Sequence, residues 1–246
     1  MVILASNPAG MPLPRYNDFI NGLISGTFTA LFLSPLDAIR VQQQLNEKMT
    51  ISRKTFNRAG LGCMASQPLF WSIFWGLRQN IKQTPIPSPI QALVTSCAAS
   101  TLCNPLFCFR TRISSTQNFD KTVADVWRGT WNLKDKWTRG LGTTYFHNIQ
   151  FGALVPLTEH IRQPRDSLTT TILKTAIAKT IVGTLWYPSE VYRSEIRMGS
   201  NIRPIDFLTQ NKFDVFWRGY GIFLLRTVPQ TALALGGAIW LSDNTK

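Results

Sequence analysis

The sequence predicts an all-helical membrane protein with six spanning helices, because its charges are unevenly distributed and because it contains an internal repeat. Only 16% of its 246 residues are Asp, Glu, Lys or Arg, against roughly 25% in a typical soluble domain. Six windows are almost free of charge: 19–36, 59–77, 83–109 and 140–158 contain no charged residue, and 167–189 and 220–242 contain only basic ones. Each window is close to the about 20 residues that a helix needs to cross a bilayer.

A six-residue pattern lies at the end of the first, third and fifth windows. Its copies are Pro35–Arg40, Pro105–Arg110 and Pro188–Arg193, and the residue two positions after the proline is an acid in the first and third copies. Self-similarity of this kind indicates tandem structural units. The three two-helix units predicted in this way cover residues 17–82, 90–163 and 167–243.

Small residues predict close helix packing before each copy of the pattern. They recur thirteen, nine and five positions before each proline, with one exception. The residues are Gly22, Gly26 and Ala30, then Ala92, Ser96 and Ser100, then Thr175, Lys179 and Gly183. Small residues four positions apart give a helix a flat face on which a neighbour can pack closely. Lys179 is the exception and requires a different explanation.

The distribution of basic residues predicts the orientation of the chain. The net charge is +13, and Lys and Arg concentrate in the loops that follow the three proline patterns. By the positive-inside rule these loops face the inner compartment, and both termini lie on the opposite side because six spans is an even number. Anionic lipid explains basic loops that flank membrane spans, so we predict no nucleic-acid partner.

The sequence offers no catalytic or metal-binding cluster. The four cysteines, Cys63, Cys97, Cys103 and Cys108, fall in apolar windows without a CxxC spacing, and there are only two histidines. We therefore expect buried small thiols rather than metal ligands or disulfides. The prediction is a protein that is not an enzyme and has no metal or cofactor.

The proline patterns resemble the signature of the mitochondrial carrier family, Pro-x-[Asp/Glu]-x-x-[Lys/Arg], over nearly the whole chain. The resemblance implies six transmembrane helices in three tandem two-helix repeats with pseudo-threefold symmetry. It also implies a multi-pass protein of the mitochondrial inner membrane with both termini on the intermembrane-space side. The N-terminus has few arginines and no secretory core, so import would use internal signals.

The resemblance implies a ring of ion pairs that closes the matrix side of a central cavity. Asp37 is expected to pair with Arg110 and Glu190 with Arg40, whereas the third base would face Phe107, which carries no charge. The matching residues are Asp37, Arg40, Arg110, Glu190 and Arg193, with Gln43 as the glutamine that braces an ion pair.

A second ring would close the opposite side, and this sequence keeps only remnants of it. Arg78, Glu159 and Arg162 occupy positions of that ring, but each faces an uncharged residue in the expected cyclic order. The sequence therefore predicts no ion pair at this end.

Substrate contacts of the family lie thirteen residues before the positions of the second ring. The residues found there are Gly62, Phe146 with its neighbour His147, and Arg226. Lys179 lies eleven residues before Glu190, about three helical turns, so both project from one face. Arg226 and Lys179 would together suit a phosphate or carboxylate. The alternatives are an Arg226 bound to backbone carbonyls and a Lys179 held in an internal ion pair or interhelix hydrogen bond.

The family also places a basic residue and a glycine at the start of its even-numbered helices, beside a cardiolipin headgroup. The matching residues are Arg139 and Gly140, and Trp217, Arg218 and Gly219. The resemblance implies membrane lipids, cardiolipin above all, as partners.

Two functions follow from the resemblance. The first is transport of a small anionic metabolite or nucleotide by alternating access. The second is a degenerate carrier that no longer transports and serves as an accessory subunit of a respiratory-chain complex or supercomplex. The incomplete second ring favours the second, whereas the basic residues expected in the cavity favour the first.

Overall fold

The computed structural model describes residues 16–81, 84–133, 135, 137–161, 163, 166–210 and 213–233. In this part of the chain all regular structure is helical and there is no strand. The α-helices are α1 (Tyr16–Gln44), α2 (Arg53–Ile81), α3 (Ser88–Ser114), α4 (Val123–Trp131), α5 (Leu141–Ile161), α6 (Leu168–Met198), α7 (Pro204–Gln210) and α8 (Tyr220–Thr231), with short 3₁₀ turns at Thr116–Asn118 and Phe213–Trp217. The all-helical prediction is confirmed for the described residues.

The six charge-poor windows fall on α1, α2, α3, α5, α6 and α8, and these helices form a closed ring. Each packs against the next in chain order, and α8 packs back against α1. The short helices α4 and α7 lie in two of the three longer connections. The ring encloses an interior that all six helices line.

The prolines of the repeated pattern lie within helices, and each pattern lies close to the end of its helix. Pro35, Pro105 and Pro188 are internal to α1, α3 and α6, which continue to Gln44, Ser114 and Met198. A proline removes one backbone hydrogen bond and favours a bend, but packing of neighbouring helices can compensate for that loss. The residues after each proline therefore stay helical and remain in the ring.

Glycines with positive φ begin two of the ring helices. Gly140 has φ 65° immediately before α5, and Gly219 has φ 74° immediately before α8. Only glycine adopts this left-handed conformation readily. The equivalent placement of these two glycines in the second and third units is consistent with the repeat in the sequence.

Close contact between α1 and α2 depends on two of the predicted small residues. A Cβ atom added to Gly22 would lie 2.5 Å from the carbonyl oxygen of Trp71, and one added to Gly26 would lie 2.7 Å from the Cα of Pro68. The two backbones thus approach too closely for any side chain. The other small residues of this register, including Ala30, Ala92 and Ser96, are buried.

The polarity of the molecule is inverted relative to that of a water-soluble protein. On α6, one stripe of large apolar side chains is 54–69% exposed: Leu173, Ile177, Ile181 and Leu185. The opposite side of the same helix buries Thr171, Thr175 and Lys179. Phe28, Leu31 and Phe32 of α1 are likewise exposed. The ring thus turns apolar surface outwards and polar groups inwards.

Two described helical segments are long and apolar enough to cross a membrane, Phe19–Gln44 in α1 and Ser88–Ser114 in α3. The other four predicted spans do not meet this criterion among the described residues, and the last of them, α8, has only 12 described residues. They remain predictions from the sequence.

Candidate functional site

A cavity of about 100 Å³ lies inside the ring. Six cationic side chains line it: Arg40, Arg110, Lys179, Arg193, Arg197 and Arg226. One carboxylate, Glu190, also lines it, and a second, Asp37, lies directly behind three of the cations. We call this space and its lining the cationic cavity.

Asp37 is the main anionic partner of the cavity arginines. Arg110 holds both of its oxygens, with Nε–Oδ2 and Nη2–Oδ1 distances of 2.6 Å. Oδ1 also lies 3.0 Å from Nη2 of Arg40 and 3.0 Å from Nε of Arg226. The structure therefore brings together the predicted pair of Asp37 and Arg110, and adds two further guanidinium groups to the same fully buried carboxylate.

Glu190 is the second buried carboxylate and also has several partners. Its Oε2 lies 3.6 Å from Nη1 of Arg40, so this predicted pair is also in contact. Arg193, one turn later on α6, binds the same Oε2 at 2.5 Å. Nε2 of His147 lies 2.8 Å from Oε1. The sequence left Arg193 opposite an uncharged Phe107, and the structure pairs Arg193 with the acid of its own pattern instead.

Lys179 makes an interhelix hydrogen bond, one of the alternatives that the sequence left open. Its Nζ donates to Oε1 of Gln150 on α5 at 2.6 Å and lies 5.8 Å from the centre of the Phe223 ring. Gln150 also contacts His147, whose Nδ1 lies 2.9 Å from Oγ of Ser189. Lys179 and His147 thus belong to one polar network that faces the cavity.

Arg226 faces the cavity as predicted from the sequence, but it is not bound to backbone carbonyls. Its guanidinium contacts the Asp37 carboxylate, and Nη1 donates a long bond of 3.5 Å to Oγ1 of Thr227. A lone arginine in an apolar span requires such a partner. The carboxylate of α1 supplies it.

Two predicted contact residues do not face the cavity. Phe146 is 59% exposed on the outer side of α5 and contributes to a groove there with Trp186 and Phe207. A Cβ atom on Gly62 would lie 3.0 Å from the Cα of Arg110. Gly62 therefore allows α2 to approach α3, and the prediction of a solute contact at these two positions is not supported by their placement.

Gln43, the glutamine expected to brace an ion pair, has different surroundings from its neighbour Gln44. Gln43 is half-buried and packs against Gly219. Gln44 is fully buried: its Nε2 donates to the Tyr187 hydroxyl at 3.4 Å, and its Oε1 accepts from Oγ of Ser194 at 2.8 Å. Adjacent helical residues point about 100° apart, so Gln44 is the residue that faces α6.

A cluster of aromatic side chains fills the ring on one side of the cavity, and sequence reasoning did not predict it. Phe70, Trp71 and Phe74 of α2 pack with Phe107 of α3 and Phe151 of α5, with ring centres 5.4–6.4 Å apart. We call this cluster the aromatic plug. In the sequence, the cluster is marked only by the run of aromatic residues at 70–75. Such a run is equally expected in an apolar span whose side chains face lipid, so it does not predict an interior cluster.

An ion pair lies beyond the aromatic plug, where the sequence predicted none. Nη2 of Arg78 lies 2.6 Å from Oε1 of Glu159, and Oγ of Ser88 donates to Oε2 at 2.7 Å. Gly76, which is close to Arg78 on α2, lies beside Phe19 near the start of α1. At a rise of 1.5 Å per residue along α1, the Arg78–Glu159 pair is therefore about 27 Å from Asp37, measured parallel to the helices. Arg162 and residues 238–242, also assigned to this end, lie outside the described residues.

The predicted lipid-binding residues sit at the starts of α5 and α8. Arg139 forms an ion pair with Asp135 at 2.8 Å, and its carbonyl accepts a bond from Nδ2 of Asn104. The carbonyl of Arg218 accepts from the Tyr187 hydroxyl, whose ring lies 6.0 Å from that of Trp217. Both segments are thereby fixed to neighbouring helices.

No protein-family model matches the chain, and no curated protein matches it.

Proposed function

We propose that this protein is a six-span membrane protein of the mitochondrial carrier type that transports a small anionic solute across the inner mitochondrial membrane. Three features support the architecture: the threefold proline pattern, the closed ring of six helices and the outward-facing apolar surface. Lipid is the solvent in which such an inverted polarity is stable.

The excess of buried positive charge in the cationic cavity carries the functional proposal. Six cations and two carboxylates leave a net charge of +4 among the described residues when His147 is taken as neutral, and neither Lys179 nor Arg197 lies within ion-pair distance of a described carboxylate. An unpaired buried charge costs several kcal/mol. A bound anion removes that cost, and Arg and Lys together are the usual ligands of phosphate and carboxylate groups.

The size of the cavity narrows the class of solute. About 100 Å³ is far below the roughly 300–1,000 Å³ of pockets that hold drug-sized ligands. A phosphate or a short carboxylate suits this closed form. A nucleotide would require the ring to open.

Ion pairs at both ends supply elements that alternating access could use. On one side of the cavity, Asp37 and Glu190 bind the arginines of neighbouring helices. On the other side, Arg78 and Glu159 connect α2 with α5. A transport cycle would break one of these sets at a time, and the solute would compensate for the lost ion pairs.

Uptake into liposomes tests this proposal. The purified full chain is reconstituted, and uptake of labelled inorganic phosphate and labelled succinate is followed for the wild type, Arg226→Gln and Arg203→Gln. Arg203 is an exposed arginine outside the cavity, so its variant is a matched control. We expect saturable uptake that falls at least tenfold in Arg226→Gln and is unchanged in Arg203→Gln. Lack of uptake of both solutes by a folded wild type would contradict the proposal.

A second candidate is an accessory membrane subunit without transport activity, and the aromatic plug favours it. Phe70, Phe74 and Phe107 fill the path between the cavity and the Arg78–Glu159 pair. In the described part of the chain, ion pairs lie on both sides of this cluster in the same structure, as expected of a rigid scaffold. Stoichiometric comigration with a respiratory assembly on a native gel, together with no uptake in liposomes, would establish this second function.

Cardiolipin binding at the starts of α5 and α8 is compatible with both the transport function and the accessory-subunit function. Gly219, the N-cap of α8, makes no side-chain cap hydrogen bond, Gly140 lies at the corresponding place before α5, and helix N-termini attract phosphate. Phospholipid analysis of the purified protein should find retained cardiolipin, and less of it in Arg218→Gln.

A further inference from the structure

The three copies of the proline pattern differ in the charge they bring to the cavity. The first contributes Asp37 and the third Glu190, and each binds two or more cationic or imidazole groups. The equivalent residue of the second copy is Phe107. Its ring packs on Phe70, with ring centres 5.7 Å apart, and carries no charge.

Arg197 lies beside Phe107, the residue at the position where the other two copies of the pattern carry a carboxylate. Its guanidinium carbon is 5.0 Å from the centre of the Phe107 ring, and Nη2 donates to Oγ1 of Thr144 at 3.1 Å. The residue is 7% exposed, and its Nε has no hydrogen-bond partner. In the described part of the chain, no carboxylate lies within ion-pair distance of this guanidinium.

Arg193 lies one helical turn before Arg197 on the same face of α6, and both line the cationic cavity. Its Nη2 binds Glu190, but its Nε is buried and has no partner. Two guanidinium groups at positions i and i+4 therefore face the same small cavity, and the Nε–H donor of each has no acceptor. Side-by-side cations repel each other unless an anion lies between them.

We propose that a resident small oxyanion, of the size of phosphate, binds to Arg193 and Arg197 and takes the place of the acid that Phe107 replaces. The oxyanion accepts hydrogen bonds from both guanidinium groups of α6 and offsets their positive charge. This inference rests on the anion-binding cavity of the proposed function, but it assigns the anion a stabilising role that does not require transport.

Thermal unfolding of the full-length protein in mild detergent tests the inference. Inorganic phosphate is added to the wild type at constant ionic strength, with chloride as the reference anion. We expect a saturable rise in Tm of about 5 °C, because a ligand that binds only the folded state stabilises it.

Two variants identify the site. Phe107→Glu supplies the missing carboxylate, so its Tm in chloride should rise and its response to phosphate should disappear. Arg197→Gln should also lose the response.

Arg203→Gln is the matched control, since its side chain is exposed and outside the cavity. It should keep the full phosphate response. An equal Tm response to phosphate in the wild type and Arg197→Gln would overturn the inference. The absence of any response in the wild type would also overturn it. If Phe107→Glu fails to fold, the comparison of Arg197→Gln with the wild type is sufficient to test the site. A phosphate response without liposome uptake would leave the inference intact and contradict transport alone. Uptake into liposomes without a Tm response to phosphate would support transport and contradict the resident oxyanion.

Discussion

Arg78 and Glu159 form an ion pair between α2 and α5 in which the basic residue belongs to the earlier helix. The arginine is almost completely buried, with 3% of its side chain exposed, whereas 34% of the glutamate side chain is exposed. The pair lies at the end of the ring for which the sequence predicted no ion pair.

Charge reversal tests the Arg78–Glu159 pair. Arg78→Glu and Glu159→Arg should each lower the stability by about 2 kcal/mol, because each places like charges side by side at a partly buried site. The double variant should recover at least half of the loss. Thermal unfolding in detergent measures all three variants. Arg203→Glu, at an exposed pair with Asp206, should change stability by less than about 0.5 kcal/mol. Additive losses in the double variant would show that the two residues do not interact.

Asp37→Asn should destabilise the protein more than any other single change at the cavity. It removes the negative charge that three guanidinium groups share, and loss of one partner from a buried ion pair costs about 3–5 kcal/mol. The matched control is Asp206→Asn at an exposed pair. Equal Tm values for Asp37→Asn and the wild type would contradict this arrangement.

An exchange of charges between Asp37 and Arg110 should restore little of this loss. In the double variant Asp37→Arg/Arg110→Asp, Arg40 and Arg226 would remain beside the new arginine. The sequence, which pairs Asp37 with Arg110 alone, predicts a partial rescue. The Tm of the double variant relative to Asp37→Arg distinguishes the two expectations.

Gly22→Ala should destabilise the contact between α1 and α2. The added methyl group would overlap the carbonyl group of Trp71, and overpacking of this kind costs about 1–3 kcal/mol. Gly221→Ala on α8 is the control, because no atom lies within 4 Å of its added Cβ. Alanine there should be neutral or slightly stabilising. A Tm of Gly22→Ala that matches that of the control would show that the helices are not in close contact.

Asp125 should show a lowered pKa and a stabilising effect that depends on pH. The hydroxyl and the backbone N–H of Thr122 donate to this carboxylate at the start of α4, and these bonds lower the pKa of Asp125 below its ordinary value. Because the folded-state pKa is the lower one, the contribution is present above the unfolded-state pKa and is lost as the pH falls through the folded-state pKa.

NMR titration of the Asp125 carboxyl group measures this pKa directly. Thr122→Val should move the pKa of Asp125 back towards its ordinary value, while Thr209→Val, an exposed threonine on α7, should leave it unchanged. Titration of Asp125 at or above its ordinary value in the wild type would contradict the capping interaction.

The sequence predicted those features that depend on the repeat. Asp37 is the acid position of the first pattern and Arg110 the basic position of the second, so packing of successive units brings them together. The close approach of α1 to α2 also followed from Gly22 and Gly26, since small residues at a helical interval mark such a contact.

Features that depend on a single helical position could not be predicted. Phe146 and His147 are adjacent, and their side chains point about 100° apart, so only the tertiary structure shows that His147 faces inwards. The same difference separates Gln43 from Gln44. The aromatic plug was not recognised because Phe70 and Phe74 also fit a span that faces lipid. The contact of Arg226 with Asp37 depends on ring closure between the two ends of the chain.

That closure has a consequence for the order in which the chain assembles. The contact of α8 with α1 joins the last described helix to the first, and Arg226 reaches Asp37 across it. During synthesis, Asp37 emerges long before Arg226, so the first five long helices must wait as an open arc with a polar inner edge. A chain truncated before Tyr220 would lack the contact of Arg226 with Asp37 and would leave that polar edge uncovered.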